Sequence, residues 1–240
     1  MGDTATPEPP QDQPWLSANS LRSADIVVPA VLRFVRAQRV VDFGCKHGEW
    51  LTVFRRYGAS TVLGFDQQIR AGRLIINRSE FRVADLNTPT SLAERFDLAV
   101  CIEVAEHLQE SSAAPLVHTL TSVAPVVLFS AAIPGQGGHG HHNEQPRAYW
   151  HALFGEHGFR PIDCLRPQIW QDPRIAFWYR QNLIFYASAA GLEQYPALAL
   201  EAQKEIASDL DLIHVAVLHP PSVAERIKAA VRRVVARRGR

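Results

Sequence analysis

Val40-Val41-Asp42-Phe43-Gly44-Cys45-Lys46-His47-Gly48-Glu49-Trp50 decides how the rest of the chain is read. Its first residues form a short apolar run suited to a buried strand. Gly44 and Gly48 flank a tight turn, and Glu49–Tyr57 (EWLTVFRRY) is helical up to Gly58. Glycine lets a backbone turn sharply and approach a ligand without a Cβ clash. Strand, glycine turn and helix together open an α/β sheet that binds ligands beyond its strand ends. The spacing is G-x-x-x-G rather than the G-x-G-x-x-G of a dinucleotide fingerprint, and no G-K-[ST] follows as in a P-loop.

The same alternation continues outward. Further strands are expected at Thr61–Asp66 (TVLGFD), Phe81–Leu86 (FRVADL), Phe96–Glu103 (FDLAVCIE), Pro125–Ile133 (PVVLFSAAI), Phe159–Leu165 and Asn182–Ala187 (NLIFYA). Helical segments fit between most of them, and residues 21–38 precede the first strand as a helix carrying Pro29. Continuous apolar strands alternating with helices predict an α/β fold: a doubly wound, mostly parallel seven-stranded sheet with helices on both faces. Residues 1–20, proline-rich and acidic, read as a disordered leader. Residues 21–190 form the main domain, and 191–240, rich in Ala and Leu, a helical tail outside the sheet.

Composition narrows the function. With 240 residues, 47% of them apolar, the chain can bury one sizeable core. A net charge of +1 gives no global attraction to nucleic acid. The three widely spaced cysteines, Cys45, Cys101 and Cys164, suit a reducing compartment rather than a disulfide framework. No apolar run reaches the ~20 residues of a membrane span, and the leader lacks a signal-peptide core, so the expected location is cytoplasmic. The basic stretch 226–240 is a candidate contact for an anionic membrane surface or a protein partner.

Chemistry-bearing residues gather where strands end. Asp66 closes the second strand, where an acid can accept hydrogen bonds from the ribose hydroxyls of an adenosine cofactor. Asp85 and Leu86 close the third and are suited to flank adenine. Glu103, Glu106 and His107 follow the fourth. On a helix starting there they would share one face, and carboxylates with imidazole suit Mg²⁺ or Mn²⁺. The loop after the fifth strand, Pro134–Glu144, offers His139, His141 and His142, one of which would complete a metal site. His107, His139 and His142 are the candidate bases for an acceptor proton.

The series VVDFGCKHGEW, GFD, ADLN and FDLAVCIEVAEHL resembles the class I S-adenosylmethionine-dependent methyltransferases, over roughly residues 35–187. The resemblance implies a Rossmann-like methyltransferase fold. It assigns S-adenosylmethionine to Asp42, Gly44, Gly48, Asp66, Asp85, Leu86 and Glu103. Lys46 departs from it, standing where the family's G-C-G-x-G has its middle glycine. E-x-x-E-H resembles metal-assisted O-methyltransferases that modify small-RNA 2′-hydroxyls or act in ubiquinone synthesis. The loop GGHGHHNEQPRAYW resembles the G-G-x-G-H-x-N-E-Q of bacterial sugar and polysaccharide O-methyltransferases. That alignment implies a metal set of Glu103, Glu106, His107 and His141. The expected function is O-methylation of a saccharide or polysaccharide-precursor hydroxyl. Trp15, Trp150, Trp170, Trp178 and Tyr179 are candidate stacking platforms for an oligosaccharide or other small acceptor. Methylation of an RNA 2′-hydroxyl or of a small metabolite is the enzymic alternative, and a degenerate binding module the non-enzymic one.

Overall fold

The computed structural model describes residues 14–67, 73–204 and 213. Seven strands run in the order β3-β2-β1-β4-β5-β7-β6. They are β1 (Arg39–Phe43), β2 (Thr61–Asp66), β3 (Phe81–Val83), β4 (Leu98–Ile102), β5 (Val126–Ser130), β6 (Arg160–Ile162) and β7 (Ile184–Ala187). All pairings are parallel except those of β7, which runs antiparallel to both β5 and β6. The order reverses between β1 and β4, so a crevice opens beyond their carboxyl ends.

Apolar residues on consecutive positions of each strand feed two cores. Val40, Leu98, Val126 and Phe185 face α1 (Pro14–Phe34) and α2 (Glu49–Arg56). Their neighbours Val41, Ala99, Val127 and Ile184 face α3 (Ala113–Val123) and α4 (Arg147–Glu156). A strand sends successive side chains to opposite faces, so a strand covered on both sides must be apolar throughout. Two short helices, α5 (Arg166–Ile169) and α6 (Phe177–Asn182), fill the insert between β6 and β7. After β7 come α7 (Ala189–Gln194) and α8 (Pro196–Ala202). Leu198 and Ala202 of α8 are buried in the first core, so this part of the expected tail is packed on the domain. The basic stretch 226–240 lies outside the described residues.

Three local expectations change. The helix expected from Leu21 starts at Pro14, where a proline's missing N–H removes no helical bond. The third strand ends at Val83 rather than Leu86. There Asp85 Oδ1 accepts from the Asn87 amide at 2.9 Å, and the Thr88 amide donates to the Asp85 carbonyl at 3.1 Å. That aspartate turn competes with the ladder. After β4, no α-helix begins at Glu103. Glu103 itself has φ 54, its amide donates to the Ser130 carbonyl at 3.0 Å, and only a 3-10 turn at Ala105–His107 follows. Among the described residues, no helix is long and apolar enough to cross a membrane.

Candidate active site

The glycine turn sits at the head of the crevice. Gly44 and Gly48 have φ 89 and 93, a region open to glycine and strained for other residues. A Cβ on Gly44 would lie 2.2 Å from Val104 Cγ2, and one on Gly48 2.7 Å from Ile76 Cγ2. Both glycines therefore serve close packing as well as the turn. Lys46, between them, adopts φ 52, and its amide donates to Asp66 Oδ2 at 2.8 Å. The Gln67 amide donates to Asp66 Oδ1 at 2.8 Å. The carboxylate that closes β2 is thus fixed by backbone on both oxygens.

The other predicted cofactor residues surround this corner. Asp85 is exposed, and bonds from the Asn87 amide and side chain and from Gln67 hold its pKa below the ordinary carboxylate value. Leu86 is buried in the second core. Asp42 is buried within β1; burial, then the carboxylates of Asp66 and Glu49, push its pKa well up. Glu49, which sequence reasoning passed over, is buried beside the turn and accepts from the His47 amide at 3.2 Å. An acid at the first helical position was the available signal.

A second cluster lies beyond β4. Ligand atoms of Glu106, His107 and His141 fall within 4.8 Å of one another. The loop after β5 is bound to the 3-10 turn, because the His142 and Asn143 amides donate to the Glu106 carbonyl at 2.8 and 3.0 Å. Both histidines are oriented through Nδ1. His107 Nδ1 meets the Gly140 carbonyl at 3.1 Å, and His141 Nδ1 meets Glu144 Oε1 at 2.8 Å. An acceptor at Nδ1 places the proton there and leaves Nε2 with a free lone pair, the arrangement of metal-ligating imidazoles. Glu144 also accepts from the Gly135 and Gly137 amides at 2.8 Å, so a single carboxylate shapes the loop and aims His141.

The donor set fits a divalent ion. Neither oxygen of the buried Glu106 carboxylate has a partner of good hydrogen-bond geometry, although the Glu106 and Ala132 amides lie close enough to oppose its rise in pKa. A Cβ on Gly138 would lie 2.2 Å from His141 Nε2, so glycine keeps the approach to that nitrogen clear. Burial, then the Glu103 carboxyl, pushes the Glu106 pKa well up. His107 is exposed at its outer edge, yet burial of the rest of the ring and the nearby His141 hold its pKa down to about 4, so it stays neutral at physiological pH. His142 is exposed and close enough to His107 to act on it electrostatically; His139 is exposed farther along the same loop.

Glu103 falls outside that three-residue group, although its carboxyl neighbours Glu106. Asn182 Nδ2 donates to Glu103 Oε1 at 3.0 Å, and Gln136 Nε2 to Glu103 Oε2 at 3.2 Å. Burial raises the Glu103 pKa and these donors oppose the rise, so Glu106 is the more strongly raised of the two. Asn182 was not foreseen; no spacing rule links it to Glu103.

The expected aromatic platforms divide. Trp150 is 2% exposed and packs on Phe129 at 5.1 Å between ring centres. Tyr179 is buried edge-on to Trp50, its hydroxyl 2.8 Å from Ser20 Oγ. Both are core residues, not stacking surfaces. Trp170 and Trp178 remain half-buried, and the side chain of Trp15 lies outside the described residues.

A family profile described as a methyltransferase domain matches residues 18–162. No curated protein matches the chain. Several solved structures share the fold. The sugar N-methyltransferase KedS8 from Streptoalloteichus is 14% identical with a TM-score of 0.54, over 78% of this chain and 98% of that one. DesVI from Streptomyces venezuelae is 12% identical with a TM-score of 0.53, over 73% and 95%. The small RNA methyltransferase HEN1 is 16% identical with a TM-score of 0.50; the match covers 78% of this chain but only 27% of HEN1.

Proposed function

The chain belongs to the methyltransferase domain family, and from that footing we propose that it methylates a hydroxyl of a saccharide or polysaccharide precursor, using S-adenosylmethionine and one Mg²⁺ or Mn²⁺ ion. The observation that carries this reading is the Glu106, His107 and His141 cluster at the end of β4. It lies beside the turn that the family uses for its methyl donor.

S-adenosylmethionine supplies an electrophilic methyl group, and a divalent ion lowers the pKa of a hydroxyl near it. The chain must bind both, hold the acceptor in line and take its proton. Gly44, Gly48 and Asp66 shape the cofactor pocket, with Asp42, Asp85 and Leu86 around it. Glu106, His107 and His141 would hold the ion, with Glu103 at their edge. The exposed loop histidines His142 and His139 would accept the proton. His107, neutral and within the cluster, serves as a ligand rather than the base.

A hydroxyl acceptor suits an ion that would lower its pKa, and a saccharide suits the near-neutral charge of +1, which offers no electrostatic hold on RNA. Intact Asp66, Glu103 and loop histidines argue for an enzyme rather than a degenerate binding module. We place the protein in the cytoplasm, with 226–240 as a peripheral contact to membrane or protein.

Transfer of label from tritiated S-adenosylmethionine to a panel of oligosaccharides, RNA and phenols tests the acceptor class. Labelled oligosaccharide is expected; labelled RNA with no labelled saccharide would overturn the reading. The cluster also carries a pH prediction. A carboxyl whose pKa is raised on folding adds stability that is complete below the unfolded value and fades as pH climbs through the folded one. An ion must displace the Glu106 proton that burial favours. The Mn²⁺-induced rise in Tm is therefore expected to grow as pH climbs above the ordinary carboxylate range. A larger rise at the acid end would contradict Glu106 as a ligand.

A further inference from the structure

Asn182 closes α6 just before β7 and is 4% exposed. Its Nδ2 donates to Glu103 Oε1 at 3.0 Å and to Gln136 Oε1 at 2.9 Å. This settles which way the amide faces, because an oxygen in that place would confront two acceptors. Asn182 Oδ1 is then turned away from both. It is buried and meets no donor among the described residues. Buried carbonyl oxygens are almost always satisfied, by the chain, by water or by a ligand.

Glu103 stands next to it under its own constraint. Its φ of 54 is one of two left-handed values among the described non-glycine residues, the other being Lys46 in the facing turn. Its amide is held by Ser130, through the carbonyl at 3.0 Å and Oγ at 3.1 Å. Backbone strain of this kind persists where the surroundings enforce it, commonly at ligand sites. Each Glu103 oxygen receives one side-chain amide hydrogen, and the Ser130 and Glu106 side chains also bond its carboxyl. Asn182 Oδ1 is therefore an unused acceptor set beside the Glu103 carboxyl. A primary ammonium group, with three N–H donors and a positive charge, complements such a pair.

The position agrees with the chemistry. Val104, the residue after Glu103, is the one that a Cβ on Gly44 would strike. The segment that carries Glu103 thus packs on the glycine turn. We propose that Asn182 and Glu103 bind the α-ammonium group of the cofactor's aminoacyl arm, Asn182 Oδ1 as the neutral acceptor and Glu103 as the anionic one. The assignment rests on the reading of the chain as S-adenosylmethionine-dependent and deepens it. It also separates the acids: Glu103 serves the cofactor, and Glu106 serves the ion with His107 and His141.

Calorimetry on the full chain with three probes tests this: S-adenosylhomocysteine, its analogue lacking the α-amino group, and 5′-methylthioadenosine, which lacks the whole arm. The wild type should bind S-adenosylhomocysteine about 10- to 100-fold more tightly than the deamino analogue. Asn182→Leu, similar in shape, should lose about 10-fold on S-adenosylhomocysteine and stay within about twofold on methylthioadenosine, which also reports an intact pocket. Asn182→Ser serves if the leucine variant does not fold. A wild type indifferent to the amino group, or a variant that loses equally on all three probes, would overturn the assignment and leave water as the donor to Oδ1. A wild type that binds none of the probes would instead overturn the cofactor reading itself.

Discussion

Replacing His141 by alanine is expected to lower methyl transfer by at least ~100-fold while S-adenosylhomocysteine affinity stays within about twofold of wild type. The argument starts from orientation. Glu144 holds Nδ1 at 2.8 Å and Gly138 leaves the space at Nε2 clear, so the ring presents one lone pair to the cluster. His141 lies on the loop after β5, and its hydrogen bond goes to Glu144 of that loop rather than to a residue of the glycine turn. On the proposed reading its loss would remove one of three converging ligands and leave Gly44, Gly48 and Asp66 in place. Even residues that merely orient metal ligands change affinity or activity by about 10- to 100-fold when replaced, and a ligand should exceed that. Single-turnover assays at saturating cofactor measure the effect. Comparable falls in turnover and in cofactor affinity would mean that the loop shapes the cofactor pocket instead.

Asp66→Ala is expected to weaken S-adenosylhomocysteine binding by about 10- to 150-fold, which is ~1.5–3 kcal/mol for a hydrogen bond to a charged group. The Lys46 and Gln67 amides fix both carboxylate oxygens at the end of β2. The side chain is therefore already in place when a ribose arrives, and little ordering entropy is lost on binding. Folding should change less than binding, because Asp66 is only half-buried. Calorimetry gives the affinity and urea unfolding the stability. An unchanged affinity would remove Asp66 from the cofactor site.

Local and nearby interactions were the legible part of this protein. TVLGFD, apolar and set between turn residues, predicts a strand with the bounds it has, Thr61–Asp66. The left-handed glycines were legible as Gly44 and Gly48 since their spacing alone indicates the turn. Reading failed where a long-range contact overrides a local preference. EVAEHL looks helical, but Ser130 on the neighbouring strand captures the Glu103 amide, and a 3-10 turn replaces the helix. Glu106, His107 and His141 still meet, although not through the shared helical face that the spacing suggested. The Glu103, Asn182 and Gln136 network joins residues on three separate segments, and nothing local marks it. Trp150 and Tyr179 are buried rather than open platforms, because composition does not distinguish an aromatic side chain under a loop from one on top of it.

The most direct test of the metal-assisted site is activity after exhaustive chelation. The wild-type chain is stripped of ions, loaded with tritiated S-adenosylmethionine and offered whichever acceptor of the panel it labels, before and after addition of Mn²⁺. Transfer should be absent from the stripped chain and return with Mn²⁺, while Glu106→Gln stays inactive under both conditions. Full transfer by the stripped chain would contradict the account and leave Glu106, His107 and His141 as proton-handling or structural groups.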